Sequence, residues 1–261
     1  MERFIFDTSS HTLVCGILNI TPDSFSDGGK WDEPQKALEH ALEMQALGAD
    51  IIDVGAQSTR PGSTRLSADE ENARLIPVLD LLKGRITVPI SVDTFYPECA
   101  RTALTHGAKI INDVSGEAND EMAKVVSEFG AGWIIMHNLD FFGRAARVAK
   151  SHGIPASSLC FDPGIGFAKS YEDNLRLIRD IGKIKTNGSA LMSAASRKRV
   201  IGTASGERRR KARPGNGGAA HGEHIERRRC YPRPRCVLRR PVGARRGRTE
   251  KDIRGGRRWI R

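Results

Sequence analysis

Apolar positions in residues 12–206 fall into two alternating kinds of run. Short stretches dense in Val, Ile and Leu occupy 13–20, 50–54, 88–92, 109–114, 132–136, 158–161 and 190–194. Continuous apolar runs of that length, rich in β-branched residues, predict strands buried on both faces. Between them lie stretches with helical spacing at 34–47, 68–82, 97–106, 120–129, 141–152 and 171–181. Gly48, Gly107, Gly130, Gly153 and Gly182 follow five of these helices, where a left-handed cap is expected. Seven strand–helix repeats predict an α/β fold with a parallel sheet. Closure into a TIM-type (β/α)8 barrel is expected rather than an open sheet, because no glycine-rich dinucleotide turn is present.

The pattern stops before an eighth unit. Residues 207–261 hold 18 Arg and 2 Lys against 5 acidic residues, a charge of +15, whereas residues 1–206 carry −4. The net charge of +11 therefore describes the end of the chain, not the repeats. Arg, Pro and Gly dominate the tail, and such a composition buries too little surface to offset chain entropy. The expected organisation is a barrel domain over 1–206 lacking a proper eighth βα unit, followed by a disordered tail over 207–261. Three explanations fit the tail: a nucleic-acid-binding arm, since arginine clusters neutralise phosphate; a divergent extension; or a shifted reading frame. The abrupt change, inside a fold that still needs a strand and a helix, favours the last. His221, His224, Cys230 and Cys236 have no common zinc-finger spacing.

No run of about 18 apolar residues is present, so no membrane span is expected. The N-terminus lacks a basic region followed by an apolar core, so no signal peptide is expected. Five scattered cysteines form neither a disulfide framework nor a CxxC motif. A cytoplasmic protein is the expectation.

Candidate chemistry sits where the strands end, since a barrel of this kind builds its site at their C-terminal ends. The first strand runs into Asn19, Thr21, Asp23 and Ser24, inside the string Gly16-Ile-Leu-Asn-Ile-Thr-Pro-Asp-Ser-Phe-Ser-Asp-Gly-Gly29. The second ends in Asp53-Val-Gly-Ala-Gln-Ser-Thr-Arg-Pro-Gly62, the third in Asp93, the fourth in Asn112-Asp113 and the fifth in Met136-His137-Asn138. The sixth gives Asp162-Pro-Gly-Ile-Gly-Phe167, and Ser196-Arg197-Lys198 follows the seventh. A lone Asp at a strand end is more often a cap than a ligand group, and Asp53 could simply hold its own loop. Carboxylates and amides converging on one rim can read the donor–acceptor edge of an aminopyrimidine-like ring, while Arg and Lys suit a phosphate.

These segments resemble, in order, the signatures of the dihydropteroate synthases, folate-pathway enzymes that join a pterin to p-aminobenzoate. The resemblance covers 13 to about 206. It implies a pterin pocket of Asp93, Asn112, Met136, Asp162, Phe167 and Lys198. It implies that Asn19 helps to hold Mg2+ on the pyrophosphate, and that Thr59, Arg60, Pro61 and Ser196 border the p-aminobenzoate. Asp93, Asp162, Lys198 and Arg60 would be the catalytic groups in an alkyl transfer with loss of pyrophosphate. A homodimer is implied as well. Nucleic acid is not an expected partner except non-specifically through the tail. A pterin-binding methyltransferase-type barrel, or an inactive barrel with a nucleic-acid-binding tail, are the competing readings.

Two departures from the resembled pattern stand out. The interval between Met136 and Asp162 is short, which reads as benign trimming of a loop, although a shortened helix would weaken packing there. No Arg-x-His pair in a strand-like context follows Gly206. The expected consequences are a barrel left open between the first and seventh strands, two unpaired edges, and an unstable, impaired enzyme.

Overall fold

The computed structural model describes residues 2–21, 33–57, 64–137, 139–167, 169–184 and 186–195, and the backbone of 235–239. Seven parallel strands appear in chain order: β1 (Leu13–Asn19), β2 (Ile51–Gly55), β3 (Ile90–Asp93), β4 (Ile110–Asp113), β5 (Gly132–Met136), β6 (Leu159–Asp162) and β7 (Ala190–Ser193). The helices between them are α1 (Glu33–Ala46), α2 (Ala68–Leu82), α3 (Pro97–Thr105), α4 (Asp120–Phe129), α5 (Phe142–Ser151) and α6 (Tyr171–Asp180). All seven strands and six helices match the predicted runs to within a few residues.

Alternation along the strands separates two cores. Leu18, Ile52, Val54, Val92, Ile111, Trp133, Ile135, Phe161 and Leu191 face outward and pack with the helices. Cys15, Ile51, Ile110, Ile134, Cys160, Ala190 and Met192 form a second core inside the barrel. Burial on both faces explains why the strands read as unbroken apolar runs.

The N-terminal segment closes the bottom of this inner core. Phe6 packs into it, and Phe4 meets Phe6 edge-on at 5.1 Å. The Phe4 N–H donates to Gly130 O at 2.8 Å, the Phe6 N–H donates to Ser157 O at 2.9 Å, and the Ser158 hydroxyl donates to Phe4 O. A Cβ on Gly132 would lie 2.6 Å from the Phe4 ring, so the plug needs glycine there. This element has no periodicity, and the sequence pattern did not predict it.

Local signals set the helix ends. Ser67 and Glu70 form a reciprocal capping box at α2, and Asn119 and Ser170 cap α4 and α6. Gly48, Gly107, Gly130 and Gly153 adopt positive φ, as expected. Gly182 does not: it sits within a 3-10 turn, Ile181–Lys183, that extends α6. The short connection after β5 is a single 3-10 turn, Leu139–Phe141. Despite it, α5 keeps a buried face of Phe142, Ala145 and Ala149, with Phe142 stacked 4.5 Å from Phe161.

The expected open edge is corrected. Residues Arg235–Arg239 form β8, antiparallel to both β1 and β7, and the barrel closes. The composition argument averaged over the whole tail and overlooked the apolar triplet Cys236-Val237-Leu238. Two bare strand edges present unpaired N–H and C=O groups, which a short extended segment can satisfy whatever its neighbours. The strand is not an eighth βα unit, because it runs the opposite way. The rest of 207–261 lies outside the described residues. Among the described residues no helix is long and apolar enough to cross a membrane.

Candidate active site at the barrel mouth

The inner core gives way to polar residues at the C-terminal strand ends. Parity carries Cys15 to Asn19, Ile51 to Asp53 and Gly55, Ile110 to Asn112, Ile134 to Met136 and Cys160 to Asp162. The register aligns Asn19, Gly55, Asp93 and Asn112 in one row across β1 to β4, and pairs Met136 with Asp162. Five predicted residues, Asn19, Asp93, Asn112, Met136 and Asp162, thus come to one rim.

Asp53 is buried beneath that row. The Asn112 Nδ2 donates to its Oδ2 at 2.9 Å. Burial raises the Asp53 carboxyl above its ordinary range, offset in part by the polar side chains of Ser91 and Asn112. Asp53 is therefore tied to β4 rather than holding its own loop. Asp93 is pushed well above the ordinary range by loss of water, and further by the negative charges of Asp53, Glu71 and Asp113. Asp113 faces the other way from Asn112 and accepts the Ser115 N–H at 2.9 Å, so it shapes the β4–α4 turn. Its carboxyl is raised by burial.

Gly55 was not singled out from sequence, yet its place is specific. A Cβ there would lie 3.6 Å from Asn19 Oδ1 and 3.7 Å from Asp93 Oδ2. The missing side chain leaves a notch onto which those two oxygens open. No cluster of three or more metal-ligating side chains exists among the described residues. The notch still suits a magnesium ion that takes one amide oxygen from protein and the rest of its shell from water and phosphate.

On the opposite side, the Gly164 N–H donates to Asp162 Oδ1 at 2.8 Å. Lys169 Nζ donates to Gly164 O at 3.1 Å and Phe167 O at 3.4 Å, fixing the loop that carries Phe167. Burial lowers the Lys169 pKa while Asp162 and Asp173 oppose that change. Lys169 is a functional candidate that polar strand ends alone did not reveal, because it lies seven residues beyond β6. His137 stacks on Phe141 at 4.1 Å and borders a cavity of about 460 Å3 with Gly116 and Arg144.

Thr59, Arg60, Pro61, Ser196 and Lys198 lie outside the described residues. The stem of the loop bearing the first three is described. Gln57 Oε1 accepts the Leu66 N–H at 2.6 Å, and Arg65 lies 4.2 Å over the Phe95 ring.

A mouth with three acidic side chains and two amides can both donate to and accept from a flat, nitrogen-rich ring. Its excess of acids favours positive charge on whatever it holds.

A family model described as pterin binding enzyme matches residues 15–221. The dihydropteroate synthase of Bacillus subtilis is 44% identical over 205 residues, 73% of this chain and 72% of that protein. Among solved structures, a dihydropteroate synthase from Clostridium difficile, in the presence of pteroic acid, aligns with a TM-score of 0.73 at 39% identity, covering 77% of this chain and 82% of that one. One from Xanthomonas albilineans, in complex with 7,8-dihydropteroate, aligns with a TM-score of 0.67 at 33% identity, covering 74% and 76%. A match running from β1 past β7, together with relatives this similar over most of their own length, establishes that the chain belongs to the pterin binding enzyme family, among the dihydropteroate synthases.

Proposed function

We propose that the barrel mouth joins dihydropterin pyrophosphate to p-aminobenzoate, giving dihydropteroate and pyrophosphate. The observation that carries this reading is the Asp53–Asn112–Asp93 constellation at the bottom of the mouth. Asp93, Asn112 and Asp162 offer the mixed donors and acceptors that the amino-pyrimidinone edge of a pterin requires. Met136, paired with Asp162, and Phe167, held by Lys169, supply apolar surface for the ring faces.

The reaction breaks the bond between the pterin methylene and pyrophosphate oxygen. The arylamine nitrogen attacks the methylene and then loses a proton. Positive charge develops on the pterin as pyrophosphate leaves, and the acidic rim lowers the energy of that state. Asp93 and Asp162 orient the ring so that the methylene meets the arylamine, which is positioning rather than covalent catalysis. Bound Mg2+ would offset charge on the leaving pyrophosphate, with Asn19 Oδ1 beside the Gly55 notch as its protein ligand. By the family resemblance, Arg60 and Lys198 add cations to the phosphate and pterin sides, and Thr59, Pro61 and Ser196 border the arylamine.

The Arg-x-His pair of the resembled last strand has no counterpart in β8, whose sequence Arg235-Cys-Val-Leu-Arg239 contains no His. The proposed enzyme therefore binds pterin better than it stabilises the leaving group. Cys15, Cys99 and Cys160 are buried and not in disulfides, which fits a reducing cytoplasm. Sedimentation of the purified chain tests the homodimer that the resemblance implies.

The test uses the full chain with dihydropterin pyrophosphate, Mg2+ and labelled p-aminobenzoate. Labelled dihydropteroate and released pyrophosphate in equal amounts support the reading. Pterin binding without p-aminobenzoate binding, even with pyrophosphate present, points to a methyltransferase-type site instead.

A further inference from the structure

We propose that Asn174 and Lys169 are positioning residues for the pterin ring, acting through the loop that runs from Asp162 to Phe167. The proposal rests on the pterin-binding part of the reading above. Asn174 is the one buried side chain of α6, at 4% exposure, and it is polar. A helix that docks by its apolar stripe buries residues such as Leu, yet Leu175 beside it stays exposed. The Asn174 Oδ1 accepts the Gly166 N–H at 2.5 Å. Its Nδ2 donates to Ser170 O at 2.7 Å and Lys169 O at 3.3 Å. Both donor hydrogens and one acceptor position of the amide are thus committed to the backbone of the loop and its return into α6.

Lys169 reaches the same loop with its side chain. Its Nζ donates to Gly164 O at 3.1 Å and Phe167 O at 3.4 Å. Gly164 O also accepts the Phe167 N–H at 3.1 Å, which closes a turn. The N–H of that same glycine donates to Asp162 Oδ1 at 2.8 Å. A Cβ on Gly164 would lie 3.2 Å from Lys169 Nζ and 3.6 Å from Met136 Sδ, so the ammonium, the turn and the rim thioether meet at one point. This is the ring side of the mouth, opposite the Gly55 notch, and the ammonium is committed to carbonyls rather than offered to a phosphate.

The loop needs such ties. Gly164 and Gly166 adopt φ of +64° and +83°, which glycine tolerates and most residues do not. The same freedom gives the loop many other conformations. One flat ligand has to meet the Asp162 carboxyl at its edge and Phe167 at its face, so the loop must hold a single arrangement. Lys169 fixes the Gly164 and Phe167 carbonyls, and Asn174 fixes the Gly166 N–H between them.

The experiment compares the unaltered full chain with Asn174→Ala, Lys169→Met and Lys169→Arg. The readouts are the Kd for 6-hydroxymethylpterin by calorimetry and hydrogen exchange of the Gly164, Gly166 and Phe167 amides, set against the amides of β4 and β5. Expected for Asn174→Ala and Lys169→Met is a rise of roughly tenfold in Kd, the scale of one lost hydrogen bond. Loop amides should exchange faster while those of β4 and β5 stay within about twofold. Lys169→Arg should return Kd to within about threefold of the unaltered chain, because a guanidinium keeps the charge and can donate to two carbonyls at once.

An unchanged Kd in Asn174→Ala or Lys169→Met, despite faster loop exchange, would overturn the proposal by marking the ties as purely structural. Equally faster exchange in β4 and β5 would overturn it too, by showing a general collapse. So would a Lys169→Arg chain that binds no better than Lys169→Met. Each of these leaves the pterin reading standing, since the unaltered chain still binds. An unaltered chain that binds no pterin overturns that reading, and the proposal with it.

Discussion

Asn112 reaches past β3 to bind Asp53: its amide donates to the Asp53 carboxylate at 2.9 Å, although their strands are not neighbours. The bond spans the inside of the barrel and turns two strand-end residues into one unit. Removing the donor by Asn112→Ala leaves Asp53 buried with fewer partners. The expected cost is about 1–3 kcal/mol in pterin binding or stability. Titration calorimetry with a pterin ligand and thermal unfolding divide that cost between the two. Near-unchanged values in both would show that the bond does no work.

The raised carboxyls predict a stability that falls as pH rises. Asp53, Asp93, Asp113 and Glu71 all have folded-state pKa values above their ordinary ones, with burial as the leading cause. The folded state holds more protons than the unfolded state in that window. Their stabilisation is complete below the ordinary carboxylate range and is lost as pH rises through the folded-state values. Melting temperature at pH 5 should exceed that at pH 8, and Asp93→Asn should flatten the difference. A higher melting temperature at pH 8 would contradict this.

Two glycine substitutions should separate function from folding. In Gly55→Ala, the new methyl meets Asn19 and Asp93 at 3.6–3.7 Å, ordinary contact distances. Stability should change by less than about 1 kcal/mol, while turnover should fall on the proposed reading that the notch admits Mg2+. In Gly132→Ala, the methyl meets the Phe4 ring at 2.6 Å. That variant should melt lower by displacing the plug, with pterin affinity preserved in the fraction that folds.

The plug itself has an expected worth. Phe6→Ala opens a void under the inner core and should cost about 3–5 kcal/mol. Denaturant unfolding measures it directly. A loss under about 1 kcal/mol would mean that the N-terminal segment only rests on the barrel.

Removal of residues 207–261 tests β8. Without it, β1 and β7 lose their antiparallel partner and expose two edges. The truncated chain should unfold earlier and self-associate. An unaltered transition in a monodisperse sample would show that the strand contributes nothing.

The strand and helix repeats were legible because burial on both strand faces writes unbroken apolar runs. The same parity that buries Cys15 and Ile134 carries Asn19 and Met136 to the rim, so much of the site could be read from strand ends. Gly55 was not legible, because what marks it is the absence of a side chain between oxygens on β1 and β3, the two strands that flank its own. The Phe4–Phe6 plug has too few residues for any period to show. Gly182 misled because a glycine in a 3-10 turn looks, in sequence, like a cap.

Closing a barrel and cradling a leaving group are separable demands. Closure asks only for backbone N–H and C=O groups at the right spacing, and a five-residue segment running backwards supplies them. A phosphate cradle asks for particular side chains delivered to one end, so chain direction matters. β8 runs with its start at the level of Gly16, three residues short of Asn19, and it finishes toward the barrel floor. Evolution, or an accident of reading frame, can thus restore the architecture of such an enzyme without restoring its chemistry. A closed barrel whose last strand runs away from the mouth is what that asymmetry leaves behind.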